Sequence, residues 1–235
     1  EKVNHVGHKK NFNPTYIRFA CEQSLQRLKT EYIDLYQLHN PSLEVLQQGQ
    51  AMEVFEKLKQ EGKIRFIGVS VHTEAEAVAL LKDDRVEALQ LIFNLLDQRM
   101  ADKVFDLAAQ RNVGVIVREP LASGLLTGKY PPGYEFPKND HRRRWLREKR
   151  EYDWEKIRMM QQVLAGKGIP LGRAALEFVL SFKNVSTVIP GAKTKAQALE
   201  NAEAVFNPRL QTQDFQDFKE IYVREEIFKK GLNPR

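Results

Sequence analysis

A histidine, a serine, a lysine and one glycine-bearing turn sit in this chain where strands give way to loops. Tyr32-Ile33-Asp34-Leu35-Tyr36-Gln37-Leu38-His39 is an apolar strand that closes on an imidazole. An imidazole there can donate a hydrogen bond to an oxygen that gains negative charge. It can equally close the strand by bonding a neighbouring carbonyl. Ile67-Gly68-Val69-Ser70 ends a second strand on a hydroxyl, and a third strand carries Gln90. Arg118-Glu119-Pro120-Leu121-Ala122-Ser123-Gly124-Leu125 follows a fourth, and successive amides around Gly124 would suit an anion. Lys193 stands just before Thr194-Lys195-Ala196-Gln197, a capping pattern that opens a helix, so cation and helix start coincide. That pattern accounts for Gln197 without any ligand.

The elements that position these residues alternate. Asn13-Pro14 opens a helix to Leu28, followed by the strand Tyr32 to Leu38 and a helix from Val45 to Glu61. Strands at 63–71, 88–94 and 113–117 are separated by helices from Thr73 to Lys82 and from Gln98 to Arg111. A long connection, Arg118 to Tyr152, includes the basic run His141 to Arg150. Helices at 154–165 and 172–182, a last strand at 185–190 and helices at 194–206 and 212–228 complete the chain. Strands spaced by helices predict a parallel sheet, whose chemistry lies beyond the carboxyl ends of the strands. Gly-x-Gly-x-x-Gly after the first strand is absent, which favours a barrel over an open dinucleotide-binding sheet.

Size and charge add bounds. The 235 residues, 42% hydrophobic and 29% charged, can bury a core, and no apolar run approaches the ~18 residues of a membrane span. No secretory signal is visible, so a cytoplasmic protein is expected. Cys21 shares a helix face with Ile17, Leu25 and Leu28 and reads as a small buried apolar residue. The net charge of +6 favours anionic partners without choosing among them. The basic run reads as a solvated, mobile loop, since nucleic-acid binding would need more interleaved aromatics than Trp145. His5, His8 and His72 lack the spacing of a metal site.

Four stretches, 32–39, 67–70, 120–129 and 189–193, together resemble the aldo-keto reductases in type, order and spacing. The resemblance implies a (β/α)8 barrel, in one domain over 1–235, that uses NADPH to reduce aldehydes or ketones. It implies that His39 orients the substrate carbonyl and that Ser70 and Gln90 bond the nicotinamide carboxamide. Val71 stands where the family usually has asparagine. Arg118 replaces an aromatic residue that often stacks on the nicotinamide, and could instead reach the pyrophosphate or hold Glu119. Pro120, Leu121, Ser123 and Gly124 would line the pyrophosphate, while Gly191, Lys193, Gln197, Glu200 and Asn201 would grip the adenosine half. Lys193 favours NADP over NAD.

The family's catalytic aspartate, tyrosine and lysine are not identified. Val6-Gly7-His8 resembles the segment just after the family's third strand, with His5 in the lysine's place and Lys2 out of register. The resemblance therefore starts at strand 4, with three strands not represented, either because segments are omitted or because the member is truncated. Omission is the expectation. The rival function is a catalytically weak nucleotide-binding barrel serving as a regulatory or structural subunit. Substrate and oligomeric state are not legible.

Overall fold

A computed structural model describes residues 10–223. His5, His8, Lys2, Val6-Gly7 and the expected end of the last helix at 224–228 lie outside the described residues. The chain divides into two compact units, one formed by residues up to 91 with 102–116, the other by 92–101 with 117 onward.

In the first unit, α1 (Pro14–Leu28) starts where the Asn13 side chain accepts the Thr15 N–H and Pro14 occupies the first turn. Ile17, Cys21 and Leu25, four apart, are its buried stripe. The strand β1 (Ile33–His39) pairs in parallel with β2 (Ile64–Ser70), in a register that sets His39 opposite Ser70. Strand β2 pairs in parallel with β3 (Ala88–Ile92), setting Ser70 opposite Gln90. Thus three candidate residues lie side by side at neighbouring strand ends. The strand β4 (Gly114–Arg118) begins in this unit, where the Gly114 N–H donates to Glu87 O.

Two sequence expectations change here. The single helix over 45–61 is two, α2 (Leu43–Gln48) and α3 (Gln50–Gln60), because Gly49 between them has φ +75 and closes one helix while opening the next. Among the described residues β1 pairs on one side only, with β2, and it is half-buried: Leu38 is its one buried residue and His39 is exposed. The helix α4 (Glu74–Leu80) carries the expected capping box between Thr73 and Glu76. The helix expected over 98–111 is a π-type turn at Ala101–Phe105 running into α5 (Asp106–Gln110).

The second unit holds the carboxyl end of β4, a 3-10 turn at Ala122–Thr127, another at His141–Arg144, α6 (Arg147–Val163) and α7 (Leu171–Leu180). It closes with the short strand β5 (Thr187–Ile189), α8 (Lys195–Phe206) and α9 (Thr212–Val223). Its core is aromatic: Phe178 packs against Phe93, Phe182 and Phe218 with ring centres 6.0, 5.3 and 6.2 Å away. Buried Glu177 is fully engaged, by the Arg173 guanidinium at 2.8 Å and the backbone N–H groups of Arg209 and Leu210. The basic run is not a free loop: its second half is helical, and its first half is tied down by Arg142. No helix among the described residues is long and apolar enough to cross a membrane.

Gly68 in β2 tests the packing of the first unit. A Cβ there would stand 2.8 Å from Gln37 Cγ and 3.0 Å from Leu35 Cδ1. Gly68→Ala is expected to cost about 1–3 kcal/mol, the usual range for overpacking, read as a lower midpoint in urea unfolding.

Candidate functional site

The first unit brings together His39, Ser70, Gln90, Asn40 and Gln37. His39 is exposed and its imidazole bonds to no described residue. Ser70 is buried and its hydroxyl donates to Asn40 Oδ1 at 2.7 Å. Asn40, just beyond the strand, has φ +51, a conformation asparagine tolerates better than most residues. Its carbonyl accepts from Lys10 Nζ at 2.7 Å. Gln90 reaches Gln37 across two strands at 3.4 Å, a weak bond. The sequence pointed to His39, Ser70 and Gln90 but not to Asn40, whose proximity to Ser70 arises only from strand register.

The second unit contains a cavity of about 800 Å³. Pro120, Leu121, Ser123 and Gly124 line it on one side. Gly191, Lys193, Gln197, Glu200 and Asn201 line it elsewhere. Nine of the residues singled out in the sequence therefore share one space. Its floor is an unusual turn after β4: Glu119, Ala122, Ser123 and Gly124 all have positive φ, at 54, 47, 53 and 91°. For three non-glycine residues that conformation costs about 1–2 kcal/mol each, so outside contacts must hold it. Buried Asn94 donates to Glu119 O at 2.9 Å, the Ser123 hydroxyl donates to the Glu119 carboxylate at 3.0 Å, and Arg142 Nη1 donates to Ser123 O at 2.9 Å.

Arg142 is the residue the sequence reading missed. Asp140 grips its guanidinium through both oxygens, and the guanidinium lies 4.6 Å from the Tyr130 ring centre and 4.3 Å from that of Phe136. The Asp140-x-Arg142 spacing was the available signal; the surrounding arginines masked it. Asp140 is held at about 2, chiefly by the Arg142 side chain.

At the far wall, Lys193 and α8 meet. Thr194 caps the helix by accepting the Gln197 N–H, and Gln197 Oε1 accepts the Lys193 N–H at 2.6 Å, so the cap is present and Gln197 keeps its amide NH2 for other use. The Lys193 ammonium is exposed and bonds to no described residue. Asn201 approaches Gly191 O at 3.5 Å, the outer limit of a bond. One expectation is corrected, and one of the alternatives left open for Arg118, holding Glu119, is the contact present. The Gly124 N–H already donates to Leu121 O, so that amide is lost to an anion cradle. Arg118 does not line the cavity; its Nη1 sits 3.2 Å from Glu119, and burial pushes its pKa down from the usual arginine range.

What the arrangement can do follows from its charge. A free ammonium beside a helix amino terminus, with a half-buried guanidinium lining the same cavity, is suited to a phosphorylated ligand. Among the described residues no group of three His, Cys, Asp or Glu is gathered as for a metal ion.

Comparison with known proteins shows the family. The model of the Aldo/keto reductase family matches residues 1–223, so the match extends along the chain instead of being confined to part of it. That match does not by itself support the expectation of three unrepresented strands. An uncharacterized oxidoreductase of Bacillus subtilis, YqkF, is 30% identical over 91% of this chain and 68% of its own length. An aldo-keto reductase of Schizosaccharomyces pombe named for NADP(+) and an NADH-specific methylglyoxal reductase of Escherichia coli are each 29% identical, over 59% and 61% of their lengths. The chain thus spans about three fifths to two thirds of the relatives it matches. The holo structure of the aldo-keto reductase AKR11C1 from Bacillus halodurans superposes with a TM-score of 0.74 at 30% identity, covering 90% of this chain and 68% of that one. The fold is the α/β type of those barrel reductases.

The Asp140 and Arg142 pair gives a pH prediction. A carboxylate depressed from about 4 to about 2 contributes stability that is present above its unfolded value and lost as pH falls through the folded one. Tryptophan fluorescence of the neighbouring Trp145 is expected to hold to pH 4 and change between pH 4 and 2. In Asp140→Asn that change is already present at pH 7.

Proposed function

Because the chain belongs to the aldo/keto reductase family, we propose that it acts in the cytoplasm as an NADPH-dependent oxidoreductase. It would reduce small aldehydes or ketones to alcohols, as a single family domain over 1–235. The observation that carries this reading is the cavity whose lining brings together free Lys193, the start of α8, Arg142 and the strained turn. NADPH, when bound, supplies the hydride that reduces the carbonyl carbon.

The chain's own residues have distinct tasks in this proposal. Lys193 and the amino terminus of α8 hold the 2′-phosphate, which NAD lacks. Ser123 meets the pyrophosphate beside Gly124, whose own N–H is already engaged, against a wall shaped by Pro120, Leu121 and Gly191. Gln197 offers its NH2 group, and Glu200 and Asn201 offer an acceptor and an amide, to the adenosine half. Ser70 and Gln90 take the nicotinamide carboxamide. Ser70 donates to Asn40, so it receives an N–H from the carboxamide instead of giving one. Arg118 supports the turn through Glu119. His39 donates to the carbonyl oxygen as negative charge builds there. The proton that completes the alcohol is assigned to none of these residues.

That unassigned proton favours a second reading, a nucleotide-binding barrel that regulates or scaffolds another protein and does little chemistry. Oxidation of NADPH, followed by absorbance against a panel of aldehydes and ketones, separates the two. Turnover supports the reductase, and tight cofactor binding without turnover supports the rival. Lys193→Met is expected to weaken NADPH binding about tenfold while leaving NADH within twofold, measured by cofactor fluorescence. His39→Asn should lower kcat by roughly 10²–10³ with NADPH affinity unchanged, as for loss of one donor to a developing oxyanion.

A further inference from the structure

The second unit has a second, partly open cavity, which shares Tyr130 with the lysine-bearing one. It measures about 350 Å³, and its wall includes Tyr130, Tyr134, Phe136, Arg143, Arg150 and Trp154. The first three rings form a cluster with centres 4.9 to 5.2 Å apart. Such a volume lies in the range of small-ligand sites, which combine apolar walls with a few placed polar groups.

The polar groups here are guanidinium ions with bonding capacity to spare. Arg150 donates from Nη1 to Tyr134 O at 3.1 Å, while its Nε is buried and meets no acceptor among the described residues. The Arg143 side chain lines the same space and bonds to no described residue. Of the carboxylates in the wall, Glu151 is engaged by Arg147 at 2.7 Å and Asp153 by Lys149. Glu135 is the one carboxylate of the wall without a described partner, and it faces the two guanidinium groups of Arg143 and Arg150. The Nε has no exposed surface, so a ligand oxygen would meet Arg150 at Nη2, which bonds to no described residue.

Aromatic walls select a flat apolar body, and a guanidinium fork selects a carboxylate. We infer that this cavity binds a planar aromatic carboxylate, at a site that adjoins the lysine-bearing cavity at Tyr130 and does not depend on the reductase reading. Arg150 and Arg143 hold the carboxylate, and the rings of Tyr130, Tyr134 and Phe136 pack against the aromatic body.

Titration calorimetry of the full chain tests this, with benzoate as probe, benzamide as its neutral counterpart and sulfate as an anion without a ring. Benzoate is expected to saturate a single site and quench tryptophan fluorescence, with the quench reduced in Trp154→Phe. Benzamide and sulfate should bind at least about tenfold more weakly, the value of one charge-assisted hydrogen bond or one packed ring. Arg150→Gln should weaken benzoate about tenfold. If that variant fails to fold, Arg143→Gln, an exposed position, is expected to weaken it in the same direction. The proposal is overturned if benzoate shows no saturable binding at millimolar concentration. It is equally overturned if benzamide or sulfate matches benzoate, or if neither arginine variant changes the affinity.

Discussion

The guanidinium of Arg142 holds the second unit's cavity in shape. Three residues of the turn after β4 have the left-handed backbone conformation without being glycine, and among their own side chains one bond, from the Ser123 hydroxyl to the Glu119 carboxylate, supports it. The turn persists because its oxygens are bonded from outside. Asn94 fixes Glu119 O and Arg142 fixes Ser123 O. Arg142 can do so because Asp140 binds both ends of its fork and two rings cover its faces, which removes most of the freedom a long side chain would otherwise lose on binding. A lysine in its place would bring one point charge and no planar fork, so it could not bridge carboxylate, carbonyl and rings together.

How much of this was legible follows the range of each interaction. The caps at Asn13 and Thr73 are local, built within four residues, and the sequence shows them. So is the cap at Thr194, which explains why Gln197 could be assigned a structural duty before any cavity was known. The break at Gly49 was missed because both flanking segments share the same helical spacing, and only the positive φ of one glycine separates them. The exposure of His39 was missed for a different reason. An apolar strand reads the same whether it pairs on one side or on both, and neighbours decide its burial.

The basic run shows the limit most clearly. Six cations in ten residues resemble a solvated stretch, because sequence gives composition but not which cation finds a planar partner. Arg142 finds Asp140 two residues back, Phe136 six back and Tyr130 twelve back, while Arg143 beside it bonds to nothing described. Two adjacent arginines thus differ completely in role. The aromatic spacing upstream, not the charge, distinguishes them.

Hydrogen-bond capacity then sorts the site residues by what they can still recognise. The Ser70 proton is engaged by Asn40, the Gln197 oxygen by the Lys193 N–H, and the Gly124 N–H by Leu121. Each therefore approaches a ligand with only part of its potential, and none is tuned to a full negative charge. The Lys193 ammonium keeps all three donors and lies at a helix start whose partial positive charge adds to its own. A neutral hydroxyl offered at that point would leave most of this capacity unused, whereas a phosphate would engage it. In the proposed function, discrimination between the two nicotinamide cofactors would therefore rest on one exposed side chain, and it should weaken as salt screens that charge. Recognition by the buried Ser70 and Asn40 pair would be far less sensitive to salt.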